Sequence, residues 1–114
     1  MAKSKIPDPL KRRHLIEREL TPAQCLKLAD AYLEQGRALE AVEFLRKAGA
    51  PDRLAALRAE AVAGGDAFLL RVVATALGED VDRATWLALA ESADAVGKER
   101  NAADARRQVA RGEG

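Results

Sequence analysis

The pattern of apolar and polar positions divides most of the chain into helix-length segments separated by glycine and proline. Apolar residues recur at helical spacing, as in Cys25, Leu28, Ala29 and Tyr32, which lie at i, i+3, i+4 and i+7. No alternation of period two persists, and alanine, leucine, glutamate and arginine dominate, which favours helix over strand. We therefore predict an all-α fold.

Start and stop signals place the first three helices. Asp8-Pro9 predicts a short N-terminal helix to about Glu19, with an N-cap followed by a proline in the first turn. Thr21-Pro22-Ala23-Gln24 predicts a second start with a capping box, in a helix that runs to about Gln35. After Gly36, a third helix should run from about Arg37 to Lys47. The expected apolar side of the first helix is Leu10, Leu15, Ile16 and Leu20.

The remainder of the chain repeats this plan of helix, glycine turn and helix. A helix from near Asp52 should end at Gly64-Gly65, and the segment 67–77 is apolar almost all round. That segment is predicted to be the most buried helix or a subunit contact. Asp80 or Asp82 should cap the next helix, and a last helix should cover about 98–111. We predict a flexible terminus at 1–7 and one helical domain at 8–114, with hairpins at about 22–48, 52–77 and 82–111.

The turn glycines reveal an internal repeat. Gly36, Gly65 and Gly97 each follow an apolar residue eleven positions upstream. Those upstream residues are Cys25, Leu54 and Trp86. Further aligned sets are Leu28, Leu57 and Leu89; Tyr32, Ala61 and Ala93; and Ala41, Leu70 and Ala102. The fold alternative is an irregular helical bundle whose glycines coincide.

These motifs resemble the tetratricopeptide-repeat family, whose unit of about 34 residues carries a Trp, a Leu three residues on and a small Ala in its second helix. The first unit matches at Leu28, Ala29, Tyr32, Gly36 and Ala41, and the third at Trp86, Leu89, Ala90, Gly97 and Ala102. The middle unit departs at Arg58, where a small residue is usual. The resemblance implies three stacked αα-hairpins after the N-terminal helix, in a right-handed solenoid.

Composition narrows the class of protein. The 114 residues suit one domain, and with 48% hydrophobic but only 4% aromatic residues the core must consist of Leu, Val and Ala in closely packed helices. The formal net charge of +1 excludes neither acidic nor basic partners. A single Cys forms no internal disulfide, and no stretch approaches the roughly 18 apolar residues of a membrane span. We therefore expect a cytoplasmic protein without membrane contact.

The residues that commonly carry catalysis are scarce. The chain has one His, one Cys and one Tyr, and no glycine-rich phosphate loop between strand and helix. We predict no enzymatic activity, no cofactor and no metal site. Cys25 is expected to be a core residue and His14 a surface residue. Tyr32 and Trp86 are expected to pack between helices rather than to stack on a ligand.

The family resemblance also implies a concave face built from the first helix of each hairpin. Its floor would be apolar and its rims acidic, which suits a peptide or partner helix with basic residues. The alternative is that the N-terminal helix or a second copy fills this face. We predict a non-enzymatic protein–protein interaction module or scaffold, with a homodimer as an alternative. The predicted partner-binding residues are Leu26, Asp30, Leu33, Glu34, Ala59, Val62, Leu87, Glu91 and Asp94.

A basic cluster offers the second functional alternative. Lys11, Arg12, Arg13 and Arg18 lie in the N-terminal helix region, and Arg106, Arg107 and Arg111 lie in the last helix. Nucleic-acid binders carry stronger net positive charge on one face, so we predict a solvated face. A nucleic-acid-associated helical protein is the alternative function.

Overall fold

The computed structural model describes residues 6–17 and 19–113, and every regular element in those ranges is an α-helix. The predicted all-α class is confirmed for this part of the chain. The predicted ends of the helices agree with the observed ends to within about two residues. The helices are α1 (Pro9–Glu17), α2 (Pro22–Glu34), α3 (Ala38–Lys47), α4 (Pro51–Gly64), α5 (Ala67–Leu77), α6 (Arg83–Ala95) and α7 (Glu99–Glu113).

Side-chain caps fix four helix starts. Asp8 Oδ1 accepts a hydrogen bond from Lys11 N at 2.9 Å, and Asp66 Oδ1 accepts one from Leu69 N at 3.0 Å. Thr21 forms the predicted capping box with Gln24 at the start of α2. Of the two aspartates proposed for α6, Asp82 is the cap, because its Oδ1 accepts from Thr85 N at 2.8 Å.

The chain divides into two compact units within α4, the first ending at Leu54 and the second beginning at Ala55. In the first unit α2 and α3 pack closely, and the stacked rings of Tyr32 and Phe44 lie 5.8 Å apart between them. Both rings are fully buried, which stabilises the hairpin by about 1.5–3 kcal/mol for each side chain. Cys25 and Leu45 complete this core.

In the second unit the closest helix pair is α6 with α7, and α5 also packs against α7. Arg71 Nη1 on α5 donates to Asp104 Oδ2 at 2.7 Å, and Ala67 N donates to Asn101 Oδ1 at 2.9 Å. Lys98 Nζ donates to the carbonyl of Gly64 at 2.8 Å. The start of α7 is therefore tied to both ends of the α4–α5 turn.

The repeat alignment identifies buried positions correctly. Its apolar members are 6% exposed or less, apart from Leu28, which is half-buried. The three turn glycines also have left-handed backbones, with φ of 71°, 68° and 76° at Gly36, Gly65 and Gly97. The first and third hairpins are close helix pairs, whereas α4 with α5 is not among the closely packed pairs. Stacking of three hairpins as a solenoid stays a prediction.

One expectation about an apolar face is wrong. Leu10 is 66% exposed, so α1 does not pack through it. In the apolar helix α5, Ala67, Leu69, Leu70, Val73 and Ala74 are buried, whereas Phe68 is 55% exposed. Of the predicted flexible terminus 1–7, only Ile6 and Pro7 are described, and both are half-buried; Arg18 of the basic cluster lies outside the described residues.

Candidate functional site

The predicted partner-binding residues of the first unit all lie on the accessible side of α2. Leu26 and Leu33 are half-buried, whereas Asp30 and Glu34 are exposed. Asp30 forms an ion pair with Arg53 of α4. Cys25, Ala29 and Tyr32 of the same helix are fully buried. The 3.6-residue period therefore separates a packing face from an accessible face.

The predicted residues of the second unit lie on α4 and α6. On α4, Ala59 is exposed and Val62 half-buried. On α6, Leu87 is 40% exposed, and Glu91 and Asp94 follow it at i+4 and i+7, both exposed. Asp94 accepts a hydrogen bond from Arg106 of α7.

Two of the predicted acidic residues are therefore paired within the protein. The side chains of the pairs Asp30–Arg53 and Asp94–Arg106 are each about half exposed to solvent. Exposed ion pairs of this kind contribute only about 0.2–1 kcal/mol each. Breaking either ion pair therefore costs little free energy.

The basic cluster of α1 is not one solvated face, contrary to the prediction, because Arg12 packs into the first unit. Its guanidinium lies 5.3 Å from the Tyr32 ring centroid and 5.4 Å from that of Phe44. Its Nη2 donates to the Glu40 carbonyl at 2.8 Å. Sequence reasoning missed this role because a charged run on a short helix ordinarily indicates solvent. The only sequence feature that indicates a site for an arginine here is the presence of two aromatic residues within one hairpin.

Tyr32 lies between two arginines. The guanidinium carbon of Arg37 is 5.4 Å from its ring centroid, on a ring that also contacts Arg12. The phenol oxygen is buried, and within residues 6–17 and 19–113 no group meets it at hydrogen-bond geometry. Burial raises the pKa of Tyr32 above its usual value, although the positive charges of Arg12 and Arg37 oppose that rise.

A polar cavity of about 390 Å³ opens beside Tyr32, which is one of its lining residues. Its charged lining residues are Asp8, Arg12, Arg37 and Glu40. Arg37 is ion-paired with Glu40, and Asp8 caps α1. Two cations and two carboxylates leave no formal net charge among the described lining residues.

An apolar groove of about 450 Å³ runs between α1 and α2. The residues from α2 that line it are Gln24, Lys27, Leu28 and Ala31, spaced i, i+3, i+4 and i+7. The N-terminal side contributes Ile6, Pro7, Lys11, Leu15 and Leu20. The periodicity of α2 contains this signal, but we assigned Leu28 to packing and did not predict the groove.

The residues that could take part in catalysis or in stacking on a ligand occupy the predicted environments. Cys25 is fully buried, which confirms it as a core residue, and His14 is exposed. Tyr32 is fully buried and Trp86 is 6% exposed, which confirms both as packing residues. The described part of the chain contains no group of three or more His, Cys, Asp or Glu side chains arranged to hold a metal ion.

None of the described helices is long and apolar enough to cross a membrane. Comparison of the chain with protein-family models, with curated proteins and with solved structures finds no match. The resemblance to tetratricopeptide repeats therefore depends on the motif residues alone.

Proposed function

We propose that the protein is a non-enzymatic, tetratricopeptide-like interaction module that binds a peptide or helix of a partner protein. The partner would contact the accessible side of the first helix of each repeat, which the packing residues leave free. The observation that supports this proposal best is the face of α6 that carries Leu87, Glu91 and Asp94.

An exposed leucine with acidic neighbours suits a partner with both apolar and basic residues. Leu87 would supply buried apolar area in a complex, worth up to about 1.5–3 kcal/mol on full burial. Glu91 and Asp94 would favour Lys or Arg beside the partner's apolar residue and would speed association. A related arrangement occurs on α2, where the half-buried Leu26 and Leu33 flank the exposed Asp30.

The test compares two matched leucine variants. Leu87→Asp places a charge on the proposed face, whereas Leu39→Asp makes the same change on α3, where Leu39 is 42% exposed. Purified wild-type protein and both variants would be used to recover partners, which mass spectrometry would identify. We expect partners that bind wild type and Leu39→Asp but not Leu87→Asp, and whose binding weakens as salt rises.

Equal recovery by all three proteins would contradict the proposal. Repeated recovery of no partner by wild type at near-physiological salt would also count against it. Circular dichroism of both variants provides the folding control, because each substitution lies at an accessible helix position.

A further inference from the structure

The groove between α1 and α2 has a floor of accessible apolar surface. Leu15, Leu20 and Leu28 are each half-buried, and Ala31 lies at one end. The volume of about 450 Å³ falls within the roughly 300–1,000 Å³ of typical binding pockets. Apolar side chains of a ligand could therefore be removed from water here.

The length of the groove suits a helix. From Gln24 to Ala31 the lining of α2 spans seven residue-to-residue steps, or about 10 Å at 1.5 Å per residue. A helix laid along it would present apolar side chains at i, i+3, i+4 and i+7, the usual spacing of helix-in-groove recognition.

The charged residues in the described lining of the groove are of one sign. Its charged lining residues are Lys11 and Lys27, both exposed, and no carboxylate belongs to the described lining. The remaining polar group, Gln24, is neutral, and its Oε1 accepts a hydrogen bond from Thr21 N at 2.9 Å in the capping box. An occupant with carboxylates beside its apolar residues would complement this rim.

We propose that the groove between α1 and α2 binds an acidic amphipathic helix of a partner protein. Apolar residues of that helix contact Leu15, Leu20 and Leu28, and its carboxylates pair with Lys11 and Lys27. The described lining of this groove shares no residue with the set proposed above for a basic partner, and its charge preference is the opposite. The proposal does not depend on the proposed function.

The probe is a fluorescently labelled amphipathic peptide of about four turns, with leucine on one face and glutamate on the other. Two further peptides share its length: one replaces each glutamate with lysine, and one replaces each leucine with serine. Fluorescence anisotropy would measure each peptide against the full-length wild-type protein. We expect saturable binding of the acidic leucine peptide and at least about tenfold weaker binding of the other two.

The protein variants reverse the charge of the rim. Lys11→Glu with Lys27→Glu should weaken binding of the acidic peptide about tenfold or more and improve binding of the lysine peptide. Arg100→Glu with Arg111→Glu makes the same change of charge at two exposed sites on α7 and should leave both affinities unchanged. Leu87→Asp should also have no effect.

Three results would overturn the proposal. The first is equal affinity of the leucine and serine peptides, since the apolar floor would then play no part. The second is unchanged binding by the double lysine variant. The third is competition by single-stranded RNA or duplex DNA at the peptide's own affinity, which would indicate a general anion surface. If the double variant fails to fold, the three peptides decide the question with wild-type protein alone.

Discussion

Gly65 shows how a single residue can carry two constraints. Its backbone is left-handed, with φ of +68°, which disfavours any residue with a Cβ. A Cβ at this position would also lie 2.5 Å from Ala93 Cα on α6. The sequence predicted the turn, because glycine after a helix indicates a C-terminus. It could not predict the close approach to α6, which depends on residues far along the chain.

We expect Gly65→Ala to lower the free energy of unfolding by about 2–4 kcal/mol, from left-handed strain of about 1–2 kcal/mol and overpacking of similar size. Gly36→Ala is the matched control, because Gly36 has φ of +71° and open space around it. It should cost only the strain, about 1–2 kcal/mol. Urea denaturation of the two variants would measure both values. Equal losses would show that the Ala93 contact has no energetic weight.

The burial of Tyr32 leads us to predict that the protein loses stability at alkaline pH. Because burial raises its folded pKa above the unfolded value of about 10, the folded state holds the phenol proton more tightly. The resulting stability is complete below the unfolded pKa and is lost as pH rises through the folded pKa. As Tyr32 is the only tyrosine, ultraviolet absorbance of tyrosinate follows this group alone.

We expect the folded protein to titrate at higher pH than the same protein in denaturant. Tyr32→Phe should remove this part of the alkaline stability loss. At neutral pH it should be neutral or stabilising by up to about 1 kcal/mol, because no described group meets the buried hydroxyl at hydrogen-bond geometry. If Tyr32 in the folded protein titrated at the same pH as in denaturant, that result would contradict the conclusion that burial raises its pKa.

At the scale of elements, signals local in sequence predicted the helix starts reliably. Contacts between residues distant in sequence were not predicted. Asp8 and Thr21 cap their helices as expected, and Asp82 is the cap of the two aspartates proposed for α6, since a cap acts within one turn. The attachment of α1 was predicted through apolar residues that include Leu10, yet its clearest anchor is Arg12. That contact spans 28 residues to Glu40, a separation that helical periodicity does not report. Likewise, the i, i+3, i+4, i+7 row of α2 did not reveal that α1 leaves part of it uncovered.

We expect Arg12→Ala to loosen α1 from the α2–α3 hairpin. The variant loses the contact with two aromatic rings, worth about 0.5–2 kcal/mol, and a charged hydrogen bond to the Glu40 carbonyl. Amide exchange in α1 should become about ten- to a hundredfold faster, while α3 keeps its protection. Arg12→Lys should restore little, because an ammonium lacks the planar surface of guanidinium.

Arg46→Ala provides the control for that experiment. Arg46 is exposed and pairs with Glu43 on its own helix, so its removal deletes a cation of the first unit without touching α1. Unchanged exchange in α1 of Arg12→Ala would show that Arg12 does not anchor the helix.

At the scale of the whole molecule, the prediction of all-α architecture rested on periodicity and composition, which average over many residues. The balance of charge, by contrast, gave little guidance. Lys11 and Lys27 border one groove in the first unit, whereas Glu91 and Asp94 border Leu87 in the second. A net charge of +1 conceals both arrangements. The proposed partner preferences therefore depend on local surfaces rather than on the total charge.

Phe68 bears on self-association, which the sequence suggested through the apolar segment 67–77. Phe68 is 55% exposed, the Arg71 guanidinium lies 5.9 Å from its ring, and Val72 follows one turn later, half-buried. If α5 is a subunit contact, Phe68 supplies its largest apolar side chain.

We then expect light scattering to show a mass that rises with concentration, and Phe68→Ser to keep the protein monomeric. Val96→Ser is the matched control: Val96 is 62% exposed but lies at the end of α6, so this variant should associate like wild type. A wild-type protein that stays monomeric over the whole concentration range would show that α5 is not a contact between copies.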